Sequence, residues 1–439
     1  MSLVQPVLPI AAEDLSKDDQ ALLARRARVL GPAYRLFYDE PLHIVRGEGV
    51  WLYDAQGRRY LDAYNNVASV GHCNPVVVEA IARQAATLNT HTRYLGSQIV
   101  DYAEALLGQL GGDFSTDGQV MFTCTGSESN DLALRIARAA TGGAGVIVTR
   151  YAYHGVTTSI AEISPSLGVD NPLGGNTWTV PAPVSPASGG DVGTRFAADV
   201  EQALADMTAK GVRPAALLVD TIFSSDGVYA DPAGFLAPAI ALVRAAGGLF
   251  IADEVQAGFA RTGNAMWGFA RHGLSPDMVT MGKPMANGHP VGAVAARSAL
   301  TAAFAVKVRY FNTFGGNPVS AAAAMAVLGV INSQGLAANS QSVGDHLAKG
   351  LAALRARYRL IKDVRHAGLF VGVELADSDG QPAPAQAAAI VNHMRQAGVL
   401  ISATGPSGDT LKIRPPLVTT HDQANLIIAA VDEALSVHQ

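Results

Sequence analysis

Leu249-Phe-Ile-Ala-Asp253-Glu254-Val-Gln256 and Met278-Val-Thr-Met-Gly282-Lys283-Pro284 decide the fold. Each is a short apolar run that stops on an ionisable residue. Apolar runs of four to eight residues bounded by turn signals read as strands buried on both faces. Val120–Cys124, Val146–Thr149, Ala215–Asp220 and Val291–Ala295 have the same character. Helical stretches such as Val77–Leu88 and Val100–Leu110 lie between or before them. Alternation of this kind predicts an α/β fold, a mainly parallel central sheet with helices on both faces. Ligands of such sheets bind beyond the carboxyl ends of the strands. The residues that end these runs are therefore the candidates for chemistry.

Outside the sheet the pattern changes. Residues 1–40 read as an arm with a helix over Asp18–Val29, and 43–62 as a hairpin turning at Asp54-Ala-Gln-Gly57. Ser164–Gly190 is rich in Pro, Gly and Ser and reads as a surface loop. Beyond about 330, helices over Ser342–Arg357 and Ala385–Ala397 mix with strand-like runs at Leu369–Leu375, Val399–Ala403 and Leu411–Ile413. Thr420-His-Asp-Gln423 fits a capping box for a last helix. A smaller α+β unit is expected there, packed with the N-terminal hairpin. The expected division is 1–70, 71–328 and 329–439.

Composition narrows the function. Of 439 residues 49 % are hydrophobic and 16 % charged, which excludes a disordered chain. The net charge of −5 gives no electrostatic case for nucleic acid or anionic membrane. Two cysteines, Cys73 and Cys124, exclude a disulfide scaffold and a cysteine-based zinc site, and no metal is expected. The alanine-rich stretch near 293–306 is broken by Arg297, so no membrane span is expected. Glu13, Asp14, Asp18 and Asp19 stand where a secretion signal would be basic and then apolar, so a cytoplasmic location is expected.

Three strand ends carry unusual chemistry. Asp253 is a carboxylate at the end of a buried run, which costs free energy unless a positive group faces it. It is either a structural acid or the partner of a protonated heterocyclic nitrogen. Lys283, alone among seven lysines, ends an apolar strand in the central region. A desolvated lysine has a lowered pKa and forms Schiff bases, although most lysines are simply exposed. The third is Val120-Met-Phe-Thr-Cys-Thr125-Gly126-Ser127-Glu128-Ser129-Asn130, a strand running through a Gly/Ser turn into a helix. Helix N-termini attract phosphate, and a plain capping turn looks the same. Together a phosphate cradle, an acid and a lysine fit pyridoxal 5′-phosphate, with Tyr153 a candidate to cover the ring.

The chain resembles the class III (ω-type) aminotransferases, pyridoxal-phosphate enzymes of fold type I. The resemblance rests on Leu61-Asp-Ala-Tyr-Asn-Asn-Val-Ala-Ser-Val-Gly71-His72, Thr125-Gly-Ser-Glu-Ser-Asn130-Asp131, Tyr153-His154-Gly155, Asp253-Glu-Val-Gln256-Ala-Gly-Phe-Ala-Arg261-Thr-Gly263, Met281-Gly-Lys283, Phe311-Asn-Thr313-Phe-Gly-Gly316-Asn317-Pro318 and Leu411-Lys-Ile-Arg414-Pro415-Pro416. Asn65-Asn66-Val-Ala, Asn89-Thr-His-Thr-Arg93-Tyr94 and Gly288-His289-Pro290 carry a finer likeness to alanine–glyoxylate aminotransferase 2-like enzymes and ethanolamine-phosphate phospho-lyases.

The resemblance implies roles. Lys283 would hold the cofactor as a Schiff base and move the substrate proton. Asp253 would pair with the pyridine nitrogen, and Gln256 would lie near the phenolic oxygen. Gly126 and Ser127 would cradle the phosphate, with Tyr153 and His154 at the ring. Thr313 would reach the phosphate of a neighbouring subunit, implying a homodimer with shared active sites. Arg414 would bind a substrate carboxylate, and Asp220 stands where many members have a glutamate that pairs with that arginine. Asp220-Thr221 replaces a frequent Glu-Pro, Asn74 a frequent histidine and Ser129 a usual alanine.

The leading expectation is an aminotransferase moving an amino group from an amine or amino acid to pyruvate or glyoxylate. The alternative is a lyase that removes phosphate from an amino-alcohol phosphate. Arg414 favours the first; Arg35 and Arg93 keep the second open. A nucleotide-binding oxidoreductase is disfavoured by the absence of GxGxxG and by the strand-end lysine.

Overall fold

The computed structural model describes residues 15–184, 191–263 and 265–438. Glu13 and Asp14, read above as part of an acidic N-terminus, lie outside them.

Seven strands form the central sheet: β4 (Gly118–Thr123), β5 (Gly145–Thr149), β6 (Thr177–Val180), β7 (Pro214–Asp220), β8 (Leu249–Asp253), β9 (Met278–Met281) and β10 (Gly292–Arg297). Their order is β4-β10-β9-β8-β7-β5-β6. The five strands from β9 to β6 are parallel, and β10 runs antiparallel to both β4 and β9. Side chains alternate between two cores. Phe250, Ala252, Leu217 and Val219 pack into one cluster, and Ile251, Ala216 and Leu218 into another on the opposite face. Helices therefore cover both faces: Pro318–Ser333 belongs to the first cluster and Gly126–Thr141 to the second.

β6 corrects one expectation. It lies inside the stretch read as a surface loop, where Trp178 and Val180 are buried against the sheet. Its Pro/Gly/Ser-rich flanks hide a four-residue strand whose register is set by β5, Ile147 facing Trp178. Residues 185–190 of that stretch lie outside the described residues.

The N-terminal segment holds three strands rather than one hairpin: β1 (Ile44–Glu48), β2 (Trp51–Asp54) and β3 (Arg59–Asp62). The extra reversal occurs at Gly49, whose φ of +57° suits glycine. Asp54 closes the second turn by accepting from Gln56 N, Arg58 N and Tyr60 OH.

The C-terminal part contributes β11 (Ile361–His366), β12 (Val371–Leu375), β13 (Val399–Leu400), β14 (Ser402–Thr404) and β15 (Thr410–Ile413). The expected association of the two ends takes the form of a parallel pairing, Leu61 opposite Val399. Val50, Leu61 and Ala63 share a core with Leu347, Val371 and Ile427. The capping box forms, Thr420 and Gln423 each bonding the other's backbone N–H. Among the described residues no single helix is long and apolar enough to cross a membrane.

Candidate active site

The carboxyl ends of β7, β8 and β9 converge with the N-terminus of the helix Gly126–Thr141. Asp253 ends β8 and is buried. Its Oδ1 accepts from Val255 N at 3.0 Å. Its Oδ2 accepts from His154 Nδ1 at 2.7 Å and Asn130 Nδ2 at 2.9 Å. Asn130 is itself oriented, since its Oδ1 takes the Thr280 hydroxyl at 2.6 Å. A carboxylate with three donors is fixed in direction.

Lys283 follows Gly282 at the end of β9 and opens a single helical turn. Its Nζ lies 5.9 Å from the centroid of the Tyr153 ring. Burial lowers its pKa, partly opposed by the charge of Asp253. The turn is tied to the segment after β3. Ser69 Oγ donates to Pro284 O, and Asn287 bonds Val70 N and Gly71 O through its side chain.

The cradle is built by close approach. Thr125 caps the helix by accepting from Glu128 N, leaving the first amides, Gly126 and Ser127, without intrahelical acceptors. A Cβ at Gly155 would fall 2.3 Å from Ser127 Oγ, and one at Gly282 would lie 3.0 Å from Gly126 N. Glycine at both positions lets two loops close on the helix end. Ser129, a departure from the usual alanine, bonds Thr123 Oγ1 at 2.8 Å and Met281 O at 2.9 Å, pinning the helix to β4 and β9. Asn74, the other small departure, caps the helix Pro75–Thr87.

Arg414 lies just past β15, almost fully buried. Its Nη1 donates to Gln256 Oε1 at 3.0 Å and its guanidinium sits 5.0 Å from the Tyr64 ring centroid. Burial lowers its pKa, countered by the charges of Tyr64 and Asp62. Asp220 does not meet it. The Asp220 carboxylate is held by its own turn, accepting from Ile222 N, Ser224 N and the Ser224 hydroxyl. An aspartate is one methylene shorter than the glutamate expected to pair there, and its turn satisfies it first.

Other expectations resolve by place. Gln256 turns Oε1 toward Arg414, and its Nε2 has no partner among the described residues. Thr313 is exposed, on a loop whose Asn312 bonds Glu128 Oε2 beside the cradle. Arg93 is exposed and stacks over Phe311 on that loop, and Arg35 is exposed at the N-terminal arm.

The sequence reading missed Lys412, Asn130 and Asn66. Lys412 was passed over because it lies outside the central region. Yet Leu411-Lys-Ile-Arg414 carries the signal, two cations at alternate positions of an apolar strand.

The geometry fits pyridoxal phosphate. It offers free helix amides for a phosphate, an oriented carboxylate for a pyridine nitrogen, a half-exposed tyrosine ring and a partly buried lysine with lowered pKa. Comparison with known proteins decides the family. The description "Aminotransferase class-III" matches residues 37–435. The chain belongs to the class III aminotransferase family. It therefore takes pyridoxal 5′-phosphate as cofactor. Among class III relatives, it is 40 % identical to an alanine–glyoxylate aminotransferase 2-like protein of Drosophila melanogaster, over 97 % of this chain and 89 % of that one. It is 35 % identical to ethanolamine-phosphate phospho-lyase homolog 1 of Caenorhabditis elegans, over 97 % and 95 %. The solved structure of an Arthrobacter phospholyase in complex with phosphoethanolamine superposes with a TM-score of 0.91 at 45 % identity, covering 94 % of this chain and 99 % of that one.

Proposed function

We propose that this class III enzyme is a phospho-lyase acting on a small amino-alcohol phosphate, ethanolamine phosphate being the simplest. The reading rests on the buried pair Lys412 and Arg414. Two positions apart along one extended segment, they project to the same side. Phe370 lies beneath both, 5.4 Å from Lys412 Nζ and 5.9 Å from Arg414 Cζ. Neither joins an ion pair among the described residues. Burial depresses the Lys412 pKa strongly, with Arg414 adding to the effect and Asp220 opposing it. Asp220 and Asp226 are near enough to act on that charge, but their oxygens are already bonded elsewhere. A carboxylate brings one negative charge to two buried cations. A phosphate monoester brings nearly two above its second pKa of about 6 and matches both. The likeness to the Arthrobacter phospholyase supports the same reading.

When bound, the cofactor supplies the electron sink that makes the proton on the nitrogen-bearing carbon acidic. Lys283, whose pKa burial lowers, takes that proton at Nζ. Asp253, held by three donors, would pair with the pyridine nitrogen. The C–O bond to phosphate then breaks, and its electron pair leaves on the phosphate oxygen. Arg414 and Lys412 hold that oxygen's charge as it develops. Ethanolamine phosphate and water thus yield acetaldehyde, ammonia and inorganic phosphate.

A second reading, transamination to a 2-oxo acid, is favoured by the planar fork of Arg414, which suits a carboxylate. Products separate the two. The lyase releases phosphate and ammonia in equal amounts with no oxo acid present. A strict need for pyruvate or glyoxylate, with phosphate retained on the product, replaces the proposal by the aminotransferase. Lys412→Met removes one charge-assisted contact of roughly 1.5–3 kcal/mol. It should raise KM for ethanolamine phosphate about ten- to a hundredfold.

A further inference from the structure

We infer that Asn66 is a positioning residue for specificity: acting through Gln256, it pins Arg414 inside the pocket, so that the site selects amines carrying an anionic group. The inference rests on the reading of Arg414 as the anion site.

Asn66 is buried in the loop after β3. Its Nδ2 donates to Gln256 O at 3.1 Å and approaches Gln256 Oε1 at 3.3 Å. A backbone carbonyl only accepts, so the amide of Asn66 must present nitrogen there. Arg414 Nη1 only donates, so Gln256 must present Oε1 to it. Both amide orientations are thereby fixed by chemistry. Gln256 Oε1 thus accepts from both Asn66 and Arg414, and Asn66, bonded also to Gln256 O, fixes the oxygen to which Arg414 is tied.

The same loop grips Arg414 twice more. Ala63 O accepts from the Arg414 backbone N–H at 2.8 Å, and the Tyr64 ring lies against the guanidinium. An arginine that swings out of a pocket needs another acceptor to swing to. Asp220, the acid expected to serve, is consumed by its own turn. Arg414 has no carboxylate partner among the described residues, so leaving the pocket would exchange its bond to Gln256 for water alone, with no protein acceptor to hold it outside. The Oδ1 of Asn66 is buried with no hydrogen-bond partner among the described residues. Such a group is costly, and its presence points to the work done by the Nδ2 end.

The test uses the holoenzyme, whose cradle is filled, and methylphosphonate as an unreactive dianion. Calorimetry gives its Kd, and steady-state kinetics give KM and kcat for ethanolamine phosphate. In Asn66→Ala, Kd and KM should both rise about five- to tenfold while kcat changes less than twofold. In an Arg414→Ala background the same substitution should change neither. Asn66→Ser, which also lacks the long amide arm, should reproduce the effect if Asn66→Ala folds poorly. Unchanged methylphosphonate affinity in both Asn66 variants overturns the inference. So does an equal loss with and without Arg414, which marks a merely structural role. If Arg414→Ala alone leaves methylphosphonate affinity intact, the anion-site reading fails first and carries the inference with it.

Discussion

Lys283, Asp253, Asp220, Lys412 and Arg414 are within electrostatic range of one another in a largely buried space. Charge in such a place is costly, so each group shifts toward its neutral form or takes a partner. Lys283 gains most, because a base must be neutral to accept a proton. Lys283→Ala should abolish turnover while leaving the far-ultraviolet circular dichroism unchanged. Asp253→Asn should lower kcat by orders of magnitude, since an amide opposes a protonated pyridine with no charge. Wild-type turnover in either variant refutes its role. Asp226 offers a test outside the reaction. Burial lifts its carboxyl from 3.8 to about 7. Between those values the folded chain keeps a proton that the unfolded chain releases, so this group's contribution to stability falls as pH rises from about 4 to 7. Asp226→Asn removes that loss. Relative to the wild type its Tm should be higher at pH 8 than at pH 5, and an equal difference at both pH values contradicts the assignment.

At the scale of elements, the site depends on how closely the loop Tyr151–Gly155 seats on the helix Gly126–Thr141. Gly155 has a φ of +134°, and a Cβ there would also fall 2.7 Å from Ser127 Cα. Gly155→Ala must therefore push the first turn of the helix away from the loop. Cofactor affinity, read by titrating apoprotein with pyridoxal phosphate, should fall at least about tenfold, the scale of one lost charge-assisted contact. Unchanged affinity means the helix end is not the cradle. The elements that build this region were legible: Leu249–Asp253 and Met278–Met281 fall inside the two expected runs, because apolar residues give way there to an ionisable group or to the glycine before one. Strands with less contrast were not. β6 is four residues long between loops, and β11, Ile-Lys-Asp-Val-Arg-His, has only two apolar residues, three apart, at a sheet edge. Among site residues, Asp253 and Lys283 stood out because a buried charge needs explaining. Asn66 and Asn130 did not, since an asparagine in a loop or a first helical turn reads as a cap until its partners are seen.

At the scale of the molecule, the surface around Thr313 bears on assembly. Leu88, His91, Tyr94, Leu95, Ile99 and Pro318 line a groove beside the loop that carries Thr313. Phe311 and Phe314 of that loop are also exposed, Phe314 by 69 %. Contiguous apolar surface of this kind marks an interaction site. The occupant we propose is a second copy of the chain. Thr313 then has a use that its own subunit does not provide, because no contact joins it to Asp253 or Lys283 among the described residues. Placed across the interface, its hydroxyl would reach the partner's cradle, and each active site would need both chains. Two measurements follow from this arrangement. Thr313→Ala should weaken retention of pyridoxal phosphate by about ten- to a hundredfold, as expected for the loss of one hydrogen bond to a charged phosphate. Leu95→Glu, a charge set into the groove, should shift the protein to monomer in analytical ultracentrifugation and cost most of its activity in the same concentration range. Dilution of the wild type should reproduce that loss, and added cofactor should only partly restore it. A monomer that keeps full activity and full cofactor affinity would show that Thr313 serves no shared site, and the groove would then need another occupant.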